Sequence, residues 1–129
     1  MQSTSIENPA LLGFSTYDEF FPFYVGQHSK PATRWFHFVG THAGVVTGLT
    51  AMALRQPKLL ALAPLIAYGT AWFSHFAIEG NKPATFGHPL WSMRGDFQMI
   101  AMMWQGRNAE LTRTAADARR LTVRQGAAA

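Results

Sequence analysis

Two uncharged stretches of the chain decide its fold: residues 35–54, WFHFVGTHAGVVTGLTAMAL, and residues 59–78, LLALAPLIAYGTAWFSHFAI. Each is twenty residues long and contains no Asp, Glu, Lys or Arg. At about 1.5 Å of rise per residue, about 20 apolar residues in a helix cross the hydrocarbon core of a bilayer. The residues between the stretches, Arg55 to Lys58, are enough for a tight turn. The sequence therefore predicts an all-α, integral membrane protein built on a helical hairpin with two main spans.

The alternative to a membrane hairpin is a soluble helical protein that buries both helices. The chain has 129 residues, which suits one domain, and such a domain has too little volume to surround two long helices on all sides. Charged residues make up 14% of the chain, whereas about 25% is usual in soluble proteins. This deficit falls in the two stretches, so we favour the membrane hairpin.

The segments around the hairpin complete the predicted organisation. We expect a flexible tail over residues 1–13, a single membrane helical domain over residues 14–107, and a polar tail rich in Ala and Arg over residues 108–129. In the aromatic segment 14–27, Ser15 or Thr16 can cap a short helix. We expect that helix either to lie in the interface plane or to pack on the core of the protein. A third apolar helix within residues 89–107 is too short to span, so we expect it to be interfacial, re-entrant or packed on the hairpin.

The distribution of charge bears on location and on partners. The hairpin loop carries only Arg55 and Lys58, whereas five basic residues flank its outer ends, so both termini are predicted on the cytoplasmic side. A net charge of +4 without a compact basic and aromatic patch argues against nucleic acid as a partner. The absence of cysteine excludes disulfides, thiolate zinc sites and cysteine nucleophiles.

Three of the five histidines are expected to meet at one end of the hairpin. His37 shares a stripe of the first helix with a glycine series that begins at Gly40, and small residues let another helix approach closely. His75 and Glu79, four residues apart, share a face of the second helix. Packing these stripes together would join His37, His75 and Glu79, and His28 can fold over them from its position before the first span.

Such a cluster suggests a metal site. Three imidazoles and a carboxylate, without a thiolate, suit Fe(II), Zn(II) or Mn(II). Ionisable groups in a membrane segment are costly, so they indicate a functional site by default. A structural polar network, or a non-catalytic hairpin that carries metal or protons, is the alternative. His42 lies about 140° around an ideal helix from His37, and we expect it to bond a neighbouring carbonyl instead.

Several short motifs together resemble one known family. They are Phe23-Tyr24, His28, His37-Phe38-Val39-Gly40-Thr41, His75-Phe76 with Glu79, Asn81-Lys82-Pro83-Ala84-Thr85, Pro89-Leu90-Trp91-Ser92 and Arg94-Gly95-Asp96-Phe97. The pattern covers residues 17–107 and resembles the family of small membrane proteins that includes the fungal 2-hydroxy fatty acid dioxygenase. In its short length the chain looks like a bacterial-type member.

The resemblance implies a function and a set of site residues. It implies a non-haem Fe(II)-dependent dioxygenase of fatty acid α-oxidation, which shortens a 2-hydroxy fatty acid by one carbon with O2. On this basis His28, His37 and His75 bind the metal. Glu79 is a catalytic residue that is either a fourth ligand or the support of a ligating histidine. Residues expected to support the ligands or contact the substrate are Tyr24, Asn81, Lys82 and His88.

The expected partners are a fatty-acyl substrate, O2 and membrane lipids. The substrate carboxylate could pair with Lys30, Lys82 or Arg94. Because the glycine series could equally receive a second copy of the chain, a homo-oligomer is left open.

Overall fold

A computed structural model describes residues 13–128, and every regular element within that range is helical. The helices are α1 (Tyr17–Gly26), α2 (Pro31–Leu54), α3 (Pro57–Ser74), α4 (Pro89–Trp104) and α5 (Asn108–Ala128). A π-helical turn, His75–Glu79, continues α3, and a 3-10 turn, Ala84–Phe86, precedes α4. The all-α prediction is confirmed. Apart from Gly13, the predicted tail over residues 1–13 lies outside the described residues.

Helices α2 and α3 form a tightly closed hairpin. Pro31 and Pro57 each occupy the first turn of their helix, where backbone N–H groups have no partner within the helix, so the missing N–H of proline costs no hydrogen bond. Arg55 ends α2 with φ 52°, in the left-handed region, and the chain reverses within two residues. The contacts that follow run antiparallel, with Gly40 opposite Thr70 and Gly44 opposite Ala63 and Ala67, nearer the start of α3.

The glycines of α2 set the distance between the two helices. A Cβ at Gly40 would lie 1.8 Å from Thr70 Oγ1, and one at Gly44 would lie 2.9 Å from the carbonyl oxygen of Ala63. Neither position can hold a side chain unless the helices move apart. The glycine face is thus filled by α3 of the same chain, which fixes His37 on α2 relative to His75 at the end of α3.

One segment among residues 13–128 has the length and composition of a membrane span, the continuous helix Pro57–Glu79 of 23 residues. Only 22% of its most apolar window is buried within the protein. Helix α2 has the length but not the hydropathy, because His37, His42 and several Thr and Gly residues dilute its apolar side chains. The predicted hairpin is therefore present, but only one of its two helices qualifies as a candidate span, so a hairpin with two membrane spans is not confirmed.

The core lies beside the hairpin, between α1, α4 and α5. Thr16 caps α1, and its hydroxyl accepts a hydrogen bond from the Glu19 N–H at 3.3 Å. Phe20 and Tyr24 of α1 are buried, together with residues of α4 and α5. Of the two readings of this aromatic helix, packing on the core of the protein describes these two side chains.

Residues 108–128, expected as a polar tail, form the long helix α5. Its Leu111 and Ala115 are buried in the core, and Ala118 lies so close to α1 that a Cβ at Gly26 would be 3.2 Å away. Apolar side chains four residues apart share one helix face, so a mostly polar sequence still supplies a packing stripe.

Replacing Gly40 by Ala should separate α2 from α3 and lower the free energy of unfolding by about 1–3 kcal/mol, the usual range for an overpacked contact. Chemical denaturation in detergent measures this change. The matched control is Gly69→Ala on α3, where an added Cβ meets no atom within 4 Å. That control should be neutral or stabilising, because Ala favours helix more than Gly does. Equal stability of the two variants would contradict the close approach.

Candidate metal centre

Three buried histidines converge at the end of the hairpin next to the core. The Nε2 atoms of His28 and His37 are 3.2 Å apart, those of His37 and His75 3.2 Å, and those of His75 and His28 3.1 Å. The three residues come from the loop after α1, from α2 and from the π-helical turn. The structure thus brings together the three histidines that the sequence predicts as ligands, in a nearly equilateral triangle.

The hydrogen bonds on the far side of each ring fix the tautomers. Nδ1 of His28 lies 2.6 Å from the Tyr24 carbonyl oxygen, Nδ1 of His37 lies 2.6 Å from Asp96 Oδ1, and Nδ1 of His75 lies 2.7 Å from Asn81 Oδ1. All three partners are acceptors, so each Nδ1 carries the proton and donates. Each neutral imidazole then presents an unprotonated Nε2 to the other two.

Three lone pairs at this distance cannot hydrogen-bond one another, because none of the Nε2 atoms has a proton to donate. A shared cation resolves the conflict. Nitrogen ligands about 2.1 Å from an ion are about 3.0 Å apart when they meet at right angles and about 3.4 Å apart in a tetrahedron. The observed edges of 3.1–3.2 Å fall between these values. The three histidines can therefore hold a metal ion and leave its other positions open.

Burial keeps the imidazole of His28 neutral. Loss of solvent lowers the pKa of His28 well below its usual value, and the neighbouring His37 and His75 lower it further. His28 is consequently unprotonated near pH 7 and able to donate its Nε2 lone pair to a metal.

Asp96 of α4 is the residue that the sequence analysis did not assign to the site. Its Oδ1 accepts from Nδ1 of His37 at 2.6 Å and from the Tyr24 hydroxyl at 2.7 Å. A carboxylate behind a ligating imidazole fixes the ring and raises its basicity. One signal was available, since Asp96 is the one acidic residue between Glu79 and Glu110.

Glu79 does not reach the three nitrogens. Its Oε2 accepts from Ser29 Oγ at 2.9 Å and its Oε1 from the Lys30 backbone N–H at 2.6 Å, at the start of α2. The expectation of a shared face with His75 assumes α-helical geometry, whereas these residues lie in a π-helical turn, which changes the angle between them. Glu79 instead holds the loop that carries His28.

The other predicted site residues divide into two groups. Asn81 supports His75, and its Nδ2 donates to Gln27 O and Gln27 Oε1, both at 3.0 Å, which fixes the amide orientation. Tyr24 supports His28 through its carbonyl, and its ring packs against the imidazole at a tilt of 33°, with ring centroids 4.2 Å apart. Burial, followed by the charge of Asp96, raises the pKa of the Tyr24 phenol well above its usual value, so the hydroxyl stays a donor.

Lys82, His88 and His42 lie away from the triangle. Lys82 is exposed, and His88 stacks on Trp91 with ring centroids 5.5 Å apart. His42 Nδ1 lies 2.6 Å from the Phe38 carbonyl, which confirms the expected local bond, and its Nε2 accepts from Trp104 Nε1 at 3.0 Å.

A mostly apolar cavity of about 230 Å³ begins at the histidines. It runs along the groove between α2 and α3 as far as Val45 and Ala63, and α4 forms another wall. Six of its lining residues are also exposed. Val45 and Pro64 lie at its far end, and the other four mark where it opens between α3 and α4: Tyr68, Trp72, Met93 and Phe97.

The basic residues expected to pair with a substrate carboxylate do not line this cavity. Lys30 Nζ donates to the Ile78 carbonyl at 2.6 Å, and the Arg94 guanidinium lies 3.8 Å from the centroid of the Tyr17 ring. Among the described residues, no Lys or Arg lines the cavity. The prediction of such a pairing from sequence thus finds no support in the geometry.

Comparison with known proteins gives one match, to the family described as 2-hydroxy-palmitic acid dioxygenase Mpo1-like, over residues 14–108. The chain belongs to this family. The matched region contains the three histidines and Asp96, and it stops where α5 begins. No curated protein and no solved structure matches the chain.

Only the first residue of helix α5 falls within the family match, yet this helix braces the loop that carries His28. The buried Arg34 joins them: its Nη1 donates to the carbonyls of His28 at 2.9 Å and Ser29 at 3.1 Å, and its Nη2 donates to Thr112 Oγ1 at 2.8 Å. Arg119 of α5 donates to Ser29 Oγ at 2.7 Å. The position of His28 thus depends on groups from α2 and α5.

Replacing Asp96 by Asn keeps the shape of the side chain but removes its charge behind His37. Metal affinity should fall about 10- to 100-fold, the usual effect of losing a partner that orients a ligand. Competition with a chelator measures this. Asp117→Asn on the exposed face of α5 is the matched control and should bind metal as the wild type does. Unchanged affinity in the Asp96 variant would contradict the assigned role.

Replacing Arg34 by Met preserves most of the volume but leaves two backbone carbonyls without their donor. The free energy of unfolding should fall by about 3 kcal/mol, because hydrogen bonds from a charged group are among the stronger ones. Denaturant unfolding measures the loss. Arg113→Met, at an exposed position on α5, provides the control and should change stability by less than about 0.5 kcal/mol. A small effect at Arg34 would show that α5 does not brace the loop.

Proposed function

We propose that this protein is an Fe(II)-dependent dioxygenase that shortens 2-hydroxy fatty acids by one carbon. The observation that carries the proposal is the triangle of three unprotonated Nε2 atoms at the head of a long apolar cavity. Membership of the Mpo1-like family, whose description names a 2-hydroxy-palmitic acid dioxygenase, supports the choice of reaction and substrate.

The donor set supports iron. Three neutral nitrogen donors that leave several positions open resemble the facial sites of non-haem Fe(II) oxygenases, in which substrate and O2 meet at the metal. Zn(II) and Mn(II) accept the same donors, so the choice of Fe(II) over these two ions is part of the proposal. When bound, Fe(II) would supply the one-electron chemistry that O2 requires.

The cavity suits an acyl chain with a polar head. From His37 to Val45 the wall of α2 extends over eight residues, or about 12 Å at 1.5 Å per residue. The polar groups lie at the histidine end, whereas Val45, Ala63 and Pro64 line the far end. The head of the substrate would therefore lie against the histidines, with its chain along the groove.

The reaction balances without an added reductant. A 2-hydroxy acid, R–CH(OH)–COOH, with one O2 gives R–COOH, CO2 and H2O. The bond between C1 and C2 breaks, and the substrate supplies all four electrons that reduce O2. The residues of the site would hold the reactants and exclude water. Asp96 keeps the proton of His37 on Nδ1, so Nε2 stays available to the metal.

We place the protein in a membrane, with both termini on the cytoplasmic side. Large apolar side chains are exposed on both helices of the hairpin, among them Val39 and Val46 on α2 and Leu65 and Phe73 on α3. Many exposed large apolar side chains on neighbouring helices support contact with lipid. A fatty-acyl substrate would reach the cavity from the bilayer through the opening between α3 and α4.

The test is metal content and turnover of the protein purified in detergent. Wild type reconstituted anaerobically with Fe(II) should consume O2 and 2-hydroxypalmitate in equal amounts and release the 15-carbon acid, as that stoichiometry requires. His75→Ala should lose tight metal binding and activity, because two imidazoles hold a divalent ion far less well than three.

The matched control is His42→Ala, which removes an imidazole outside the triangle and should retain both metal and turnover. Metal binding without O2 consumption would favour the alternative, a non-catalytic hairpin that carries metal or protons. Turnover unaffected by His75→Ala would refute the proposal.

A further inference from the structure

An unpartnered hydroxyl lies in the wall of the cavity. Among the described residues, three buried side-chain polar atoms lack a hydrogen-bond partner: Thr33 Oγ1, Arg34 Nε and Ser92 Oγ. Of these residues only Ser92 lines the cavity, and it is 4% exposed. Buried hydroxyls are normally satisfied, so an exception at a binding cavity calls for a ligand.

The position of Ser92 places it near the metal centre. Ser92 and Asp96 are four residues apart on α4 and share one face, about 6 Å apart along the helix axis. Asp96 contacts His37 directly. Between them, Gly95 lets α4 approach the Tyr24 ring, where an added Cβ would lie 3.1 Å from two ring carbons. The side of α4 that carries Ser92 is thus held firmly against the site.

The charges around the cavity favour a neutral hydrogen-bond donor as the partner of an anionic substrate head. No described Lys or Arg lines it, and the Asp96 carboxylate contributes negative charge. An anionic head bound there would depend on the metal and on hydroxyl donors. The Tyr24 hydroxyl already donates to Asp96, whereas the Ser92 hydroxyl has no acceptor.

We propose that Ser92 binds the carboxylate head of the substrate by donating a hydrogen bond to it. This assignment rests on the proposed function, since it takes a 2-hydroxy fatty acid as the ligand of the cavity. Rotation about one side-chain bond moves a serine hydroxyl among three staggered positions, which allows it to turn toward a bound head. Ser92 is then a substrate-binding residue that bears on affinity and does not hold the metal.

A binding role and a structural role predict opposite effects of Ser92→Ala. A hydroxyl that stabilised the fold would lower the melting temperature when removed. An unsatisfied buried hydroxyl destabilises the ligand-free protein, so its removal should leave the melting temperature unchanged or raise it. Substrate binding should weaken about 10- to 100-fold, because the lost hydrogen bond has a charged acceptor.

The experiment measures equilibrium binding of 2-hydroxypalmitate to the Zn(II)-loaded protein in detergent micelles, since zinc occupies the site without redox turnover. Calorimetric titration compares wild type with Ser92→Ala and with Ser92→Thr, which restores the hydroxyl. The matched control is Ser74→Ala, because Ser74 is also buried but donates to the Ala71 carbonyl at 2.6 Å and does not line the cavity. This control should lose stability and keep its affinity.

In the iron-loaded enzyme, Ser92→Ala should raise KM more than it lowers kcat, with the metal content unchanged. If wild type binds the acid and Ser92→Ala binds it equally well, the assignment of Ser92 is wrong and the proposed function stands. A folded threonine variant that binds as weakly as the alanine variant would also overturn it. If wild type does not bind the acid, the proposed function fails and this assignment fails with it.

Discussion

Three imidazole nitrogens without protons face one another at 3.1–3.2 Å, and most of the fold is arranged to keep them there. In water each nitrogen would accept a hydrogen bond, so gathering them in a buried space costs free energy unless a cation replaces that water. The cost is tolerable because each ring is held from behind by its own acceptor. The acceptors are a backbone carbonyl, a carboxylate and an amide oxygen. Three different partners therefore produce the same tautomer.

Each support of the triangle comes from a separate part of the chain. The glycine face of α2 fixes the spacing of the hairpin and hence the relation of His37 to His75. Asn81 lies two residues after the π-helical turn, and its amide is anchored on Gln27, the residue that follows α1. Helix α4 brings Asp96 behind His37. A change in any of these elements would move one nitrogen relative to the other two, so the candidate metal site depends on nearly the whole domain.

The sequence predicted more of this site than of its surroundings. The spacing of His37 and its glycine series, together with the position of His75, was enough to predict that the histidines meet, because helical periodicity fixes which side chains share a face. The same rule failed for Glu79, since a π-helical turn cannot be recognised from residue spacing. Glu79 and Asp96 show the limit of such reasoning. Glu79, close to His75 in the sequence, supports the loop that carries His28, whereas Asp96, farther along the chain, supports His37.

The prediction of two membrane spans meets a related limit, because residues that make contacts within the protein lower the hydropathy of α2. The stretch that forms α2 lacks formal charge, yet His37, His42 and the glycines that contact α3 reduce its hydropathy. These residues form the histidine triangle, the hydrogen bond to Trp104 and the contact with α3, so each lowers the hydropathy of the helix while making an interaction within the protein. Hydropathy reports the average of a segment and cannot separate the side that faces a partner helix from the side that faces outward.

Two kinds of unsatisfied group lie around one cavity. Among the described residues, the three Nε2 atoms have no hydrogen-bond donor and the Ser92 hydroxyl has no acceptor. Sequences selected for stability alone would remove both, because apolar residues of similar volume avoid the cost of burying polar atoms. Local departures from the rules of stable packing tend to occur at functional sites, where a ligand supplies the missing interaction. The proposed ligands would satisfy both at once, since a cation bound to the imidazoles would attract an anionic head, and that head would supply the acceptor that the serine lacks.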